Sequence, residues 1–213
     1  MRKIAPYLFI GCVLLVLVSC SKEKSIDTSE NAPGTGTGSA VGKTEKGVWN
    51  FISMRGITSE TIEYNEFGDA TKIVTTSDYT TTNNAGTIRF DGSTMTGTGL
   101  TYSVDAMAKT YIYTNGTLED SLELPFGATV PPINSTASYK KISSDSIYVQ
   151  SGAFTNVGTG GTTQASSGGY KLAWDGDKMT MTGSVNISKI DLSTGISQKI
   201  TQRATQIITL QKQ

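Results

Sequence analysis

Three dipeptides constrain this chain more than any other feature. Asp91-Gly92, Asn115-Gly116 and Asp175-Gly176 each divide two runs in which apolar and polar residues alternate. A type I′ hairpin turn needs positive φ at both central residues, and Asn, Asp and Gly adopt it with the least strain. Thr87–Phe90 and Met95–Val104 flank the first turn, Tyr111–Tyr113 and Thr117–Leu124 the second, Tyr170–Trp174 and Met179–Met181 the third. Similar runs predict strands over 47–54, 72–82, 139–142, 146–149, 185–190 and 200–210. Thr is the commonest residue, and Thr with aromatic residues favours strands. Pro131-Pro132 and the low-complexity segment 156–169 predict loops. The likeness between Phe90–Thr96 and Trp174–Thr180 reads as two hairpins sharing one turn chemistry rather than as a duplication.

The class that follows is all-β. About ten strands joined by short hairpins make an antiparallel up-and-down meander, and closing it into a β-barrel removes its edges. A two-sheet β-sandwich is the alternative.

The N-terminus differs. Arg2 and Lys3 precede an apolar run from Tyr7 to Val18, the layout of a secretory signal. The run is shorter than the roughly 20 residues of a spanning helix. Leu17-Val18-Ser19-Cys20 resembles the lipobox of bacterial lipoproteins. That resemblance implies a signal peptide over 1–19, removed to leave Cys20 as a lipidated N-terminus. Acyl chains on Cys20 would anchor the protein, at about 0.8 kcal/mol per buried CH₂. Ser21-Lys22-Glu23-Lys24 has no Asp after the Cys, which resembles outer-membrane lipoproteins; surface exposure and a periplasmic face both stay open. Residues 20–46, with Pro33-Gly34-Thr35-Gly36-Thr37-Gly38, read as a flexible tether to a domain over 47–213.

Composition narrows the chemistry. Loss of Arg2 and Lys3 with the leader leaves 16 basic against 18 acidic residues, which is no nucleic-acid footprint. The chain contains no His, so Ser-His-Asp and Cys-His nucleophile systems are excluded, as are imidazole ligands for zinc. Cys12 leaves with the leader and Cys20 is acylated, so no internal disulfide is expected. No catalytic set, cofactor or metal site is expected. Asp175-Gly176-Asp177 reads as a hairpin turn rather than a cation site. Glu60, Glu63 and Glu66 fit a short helix or a strand connection and form no recognisable catalytic pair.

Gly47-Val48-Trp49 at the start of the first strand resembles the Gly-x-Trp of lipocalins, and the layout is similar to the lipocalin-like domains of Bacteroidetes lipoproteins. The resemblance implies that Trp49 closes one end of a barrel, with a basic residue of the last strand over its ring. Arg203 is the candidate, through a cation–π contact. It also makes Ser121 and Ser146, in Asp120-Ser121-Leu122 and Asp145-Ser146-Ile147, possible O-glycosylation sites. The expected function is a non-enzymatic envelope lipoprotein, bound to the membrane through Cys20 and holding a small apolar or amphipathic ligand in the barrel. The alternative is a structural or accessory protein that binds a protein or glycan partner through its outer face. The aromatic residues Tyr102, Tyr111, Tyr113, Tyr148, Tyr170 and Trp174 read mainly as sheet packing.

Overall fold

The computed structural model describes residues 43–151 and 167–213. Cys20, the leader and most of the tether lie outside the described residues, as does most of the 156–169 segment. Nine antiparallel strands form one sheet: β1 (Gly47–Glu66), β2 (Asp69–Thr80), β3 (Thr82–Phe90), β4 (Thr94–Thr114), β5 (Thr117–Ser143), β6 (Ser146–Ser151), β7 (Gly168–Asp175), β8 (Lys178–Asp191) and β9 (Gln198–Lys212). Strand β9 pairs with both β8 and β1, so the sheet closes in a ring.

β2 and β3 run end to end along β1. Residues 69–80 pair with the far half of β1 and 87–90 with its start. The break between them is Thr81, which is buried. Its backbone N–H donates to the Met54 carbonyl at 2.8 Å, and its Oγ1 accepts from the Met54 N–H at 2.9 Å. The Thr81 hydroxyl then donates to Asn84 Oδ1 at 2.6 Å. A kink that would orphan backbone groups is thereby satisfied by one side chain.

The turns follow local chemistry with two amendments. Asn115 and Gly116 both have positive φ, 52° and 84°, as a type I′ turn demands. In the third hairpin Asp175 stays in the strand, opposite Lys178. The central residues are Gly176 and Asp177, and only Gly176 has positive φ, the pattern of a type II′ turn. At the first hairpin Asp91 Oδ1 accepts the N–H of Ser93 at 2.8 Å and of Thr94 at 2.7 Å, closing a wider turn. A further turn, Phe67-Gly68 between β1 and β2, carries no Asn or Asp signal; Phe67 holds φ 52° with its side chain 99% exposed.

Several sequence expectations change. Strand β1 runs through Glu60, Glu63 and Glu66, so no helix or connection occurs there. Pro131 and Pro132 lie inside β5, not in a loop. Val130 pairs with Tyr102 and Ile133 with Leu100, so the prolines occupy a bulge where no ladder N–H is required. Gly168 and Gly169 already belong to β7. Glu45, assigned to the tether, is 1% exposed and packs under the ring.

The core fills the end of the ring where β1 starts and β9 finishes. Trp49, Phe51, Met54, Ile88, Phe90 and Met95 lie within it, with Tyr139, Ile147, Met179, Met181, Ile208 and Leu210 facing them, each 5% exposed or less. Phe51 meets Tyr102, and Phe90 meets Tyr139, edge to face at 6.1 and 5.6 Å. Strand β2 contributes none of the fully buried apolar residues. The long hairpins project beyond this filled end.

Candidate functional site

The filled end contains the Gly-x-Trp motif. Trp49 is 3% exposed, and its indole N–H donates to the Glu45 carbonyl at 2.7 Å. The Lys212 ammonium lies over the ring, 4.6 Å from its centroid, and donates to the Lys46 carbonyl at 2.7 Å. Lys212 stands directly opposite Trp49 in the ladder. Gly47 leaves room for it: a Cβ at that position would meet Lys212 Nζ at 2.6 Å, and its φ of 125° also favours glycine. The basic residue of the last strand over Trp49 is therefore Lys212, and the assignment to Arg203 is corrected. Arg203 pairs with Ser59 and Asn186, many residues up the ladder. Which residue of β9 stands opposite Trp49 follows neither from turn chemistry nor from periodicity; the register of β1 against β9 sets it, and a bulge between Phe51 and Ser53 shifts that register by one residue.

Beneath Trp49 the Glu45 carboxylate is buried with partners on two sides. Lys141 Nζ bridges to Oε2 at 2.7 Å, and the Tyr139 hydroxyl donates to Oε1 at 3.3 Å. Burial alone would raise the Glu45 pKa; the Lys141 hydrogen bond and charge, with the Tyr139 hydroxyl, outweigh it and hold the carboxyl below its usual range. Burial, then the Glu45 charge, push the Tyr139 hydroxyl upward, so it stays a neutral donor. This cluster pins the start of the domain.

An open concave surface lies on the face of β9–β1–β2–β4 turned away from the core. Alternation places Met54 and Gly56 inward, so Ile57, Ser59, Thr61 and Glu63 point outward. Thr76 and Asp78 of β2, Asp105, Met107 and Lys109 of β4, and Arg203 of β9 share that outer face. They line an open pocket of about 630 Å³, to which Thr58 and Ser77 also contribute. A second pocket of about 230 Å³ continues from it over Thr61, Glu63, Lys72, Lys199 and Thr201. Ser59 and Arg203 belong to both, so the two make one groove.

The groove changes character along its length. Its larger section exposes Ile57 and Met107, 38% and 44% accessible. Arg55 and Asp78 form a bidentate ion pair at its side, which holds the Asp78 carboxyl below its usual range. Lys109 is paired with Glu123 at 2.9 Å. In the smaller section Lys199 bridges to Glu63 at 3.3 Å, whereas Lys72 and Arg203 make no ion pair or hydrogen bond among the described residues. Tyr79 stands on the other face of β2, its ring over Gly56 and edge to face with Phe126 at 5.6 Å. Burial pushes its hydroxyl up to about 12.

The remaining sequence candidates disperse. Ser121 is exposed on β5, and its N–H donates to Asp120 Oδ1 at 2.7 Å. The Ser146 hydroxyl is half-buried at the start of β6 and shares a hydrogen bond with Ser143 at 2.6 Å. Asp177 Oδ2 accepts from the Gln211 amide at 2.9 Å, as a turn residue. Glu60 points to the inner face and accepts from Gln202 at 2.6 Å, while Glu63 points outward, so the acidic residues of β1 do not converge. Among the described residues no three acidic, His or Cys side chains come together as a metal site. Sequence reading missed the groove: Ile57, Met107, Lys72 and Lys199 carry no motif, and only strand order brings them together. No known protein family, no curated protein and no solved structure matches this chain.

Proposed function

We propose that this protein is a lipid-anchored envelope protein whose lipocalin-like β-barrel binds its ligand on the outer wall instead of inside. The observation that carries the reading is the placement of empty space. Side chains fill the ring at its Trp49 end, while the open groove runs over the outward face of β9–β1–β2–β4. Ligand sites are concave surfaces of roughly 300–1,000 Å³ with an apolar lining and a few polar groups, which the larger section resembles. The barrel assignment is supported by strand order: with β2 and β3 counted as one interrupted strand, consecutive strands neighbour each other and β9 returns to β1. Trp49 under Lys212 supports it further, since Gly-x-Trp with a basic cover is what the lipocalin resemblance implies.

Anchoring rests on Leu17-Val18-Ser19-Cys20, and an outer-membrane location on the absence of Asp after Cys20.

Native mass spectrometry of the protein extracted from its own membranes tests the reading. A retained small molecule that is lost with Met107→Asp but kept with Leu124→Asp, on the core-facing side of β5, is the expected result. A retained species sensitive only to Leu124→Asp, or no retained species, overturns it.

A further inference from the structure

We infer that the groove selects a small amphipathic anion: one carboxylate or phosphate head on a hydrocarbon body. The inference rests on the outer-wall reading and adds the class of ligand. Its first support is the order of the two sections. The larger offers Ile57 and Met107 at its surface, and the smaller is lined by polar and charged side chains. An apolar body and a polar head laid along the groove match that order.

The second support is charge. Of the groove's cations, Lys109 is neutralised by Glu123 and Lys199 by Glu63. Arg203 has no anionic partner among the described residues, and Lys72 stands opposite Glu63 in the ladder without forming an ion pair with it. Arg203 sits at the junction of the sections, where a head group following an apolar body would arrive. Its planar guanidinium presents paired N–H donors that match a carboxylate or phosphate. Asp78 does not compete for Arg203, because Arg55 already engages both of its oxygens. Asp105 lies in the larger section and disfavours an anion there, which directs the head toward Arg203 and Lys72.

Isothermal titration of the detergent-free Cys20→Ala protein with decyl phosphate, below its micelle concentration, tests the assignment. One molecule binds per chain. Inorganic phosphate lacks the body and decyl maltoside lacks the charge, and each binds at least about tenfold more weakly. Arg203→Gln weakens decyl phosphate about tenfold or more, the scale of a lost charge-assisted hydrogen bond. Met107→Asn weakens it about three- to tenfold through lost apolar contact. Lys140→Gln, an exposed cation outside the groove, leaves binding unchanged. These substitutions are at exposed positions, and unchanged unfolding midpoints establish that each variant is folded. No binding of decyl phosphate, equal binding of decyl maltoside, or indifference to Arg203→Gln overturns the ligand class. The outer-wall reading survives that failure if the natively retained molecule still depends on Met107, and falls with it otherwise.

Discussion

Lys141→Met and Glu45→Gln remove the two halves of one ion pair, yet they are expected to differ in size and in pH dependence. The Glu45 side chain is 1% exposed and that of Lys141 38% exposed. Without Glu45, the Lys141 ammonium rehydrates, and a glutamine keeps an acceptor for the Tyr139 hydroxyl. The expected loss is about 1 kcal/mol at pH 7, and it shrinks as pH falls through the folded pKa of Glu45, because the wild type then loses the same contribution. Without Lys141, a carboxylate stays buried with hydroxyl partners alone, and removing one member of a buried pair costs about 3–5 kcal/mol. The Tyr139 and Thr44 hydroxyls, at 3.3 and 3.4 Å, place this case at about 3 kcal/mol, the low end. In the wild type the folded pKa of Glu45 is depressed, so its contribution is present above the unfolded pKa and is lost as pH falls through the folded value. In Lys141→Met, burial is unopposed and raises the folded pKa. The penalty then appears above the unfolded pKa, near 4, and grows until the pH passes the raised folded value. Urea unfolding followed by tryptophan fluorescence on the Cys20→Ala background measures both. With a slope of about 2 kcal/mol/M, Lys141→Met lowers the midpoint by about 1.5 M at pH 7 and by much less at pH 4. Equal losses for the two variants, or a Lys141→Met loss as large at pH 4 as at pH 7, refutes the argument.

Trp49→Ala is expected to cost about 3–5 kcal/mol as a core truncation, Lys212→Met about 0.5–1 kcal/mol, and Arg203→Ala less than about 0.5 kcal/mol. The same unfolding curves check the order, and a larger loss at Arg203 than at Lys212 contradicts the cation–π geometry. Thr81→Val keeps the shape but leaves the buried Met54 N–H without an acceptor, for a loss of about 1–3 kcal/mol. A Thr81→Val midpoint equal to wild type means the kink is satisfied some other way. Cys20→Ala moves the protein from the membrane pellet to the soluble fraction with its unfolding midpoint unchanged; retention in the high-salt pellet places the anchor elsewhere.

Turn chemistry is local, and what depends on it was legible in the sequence. Asn115-Gly116 forms its turn because two neighbouring residues tolerate positive φ, whatever the rest of the chain does. Alternation marked Tyr102 as sheet packing, and it is buried in the core, since each strand shows one face inward. The class, all-β with neighbouring strands in chain order, follows from those two signals together. Register is cumulative, and there the sequence was silent. Every bulge shifts all pairings beyond it: the β1–β9 register puts Arg203 opposite Ser59, and the one-residue Phe51–Ser53 irregularity brings Lys212 instead of Gln213 opposite Trp49. The same kind of local accommodation lets Pro131-Pro132 stay within β5 and lets Thr81 divide one strand into β2 and β3. Glu45 resembled linker because its partner Lys141 lies far along the chain. The groove belongs wholly to this second kind of information. Its residues come from β1, β2, β4 and β9, each merely an outward position in its own strand. Only closure of the sheet, with β1 between β2 and β9, sets them side by side.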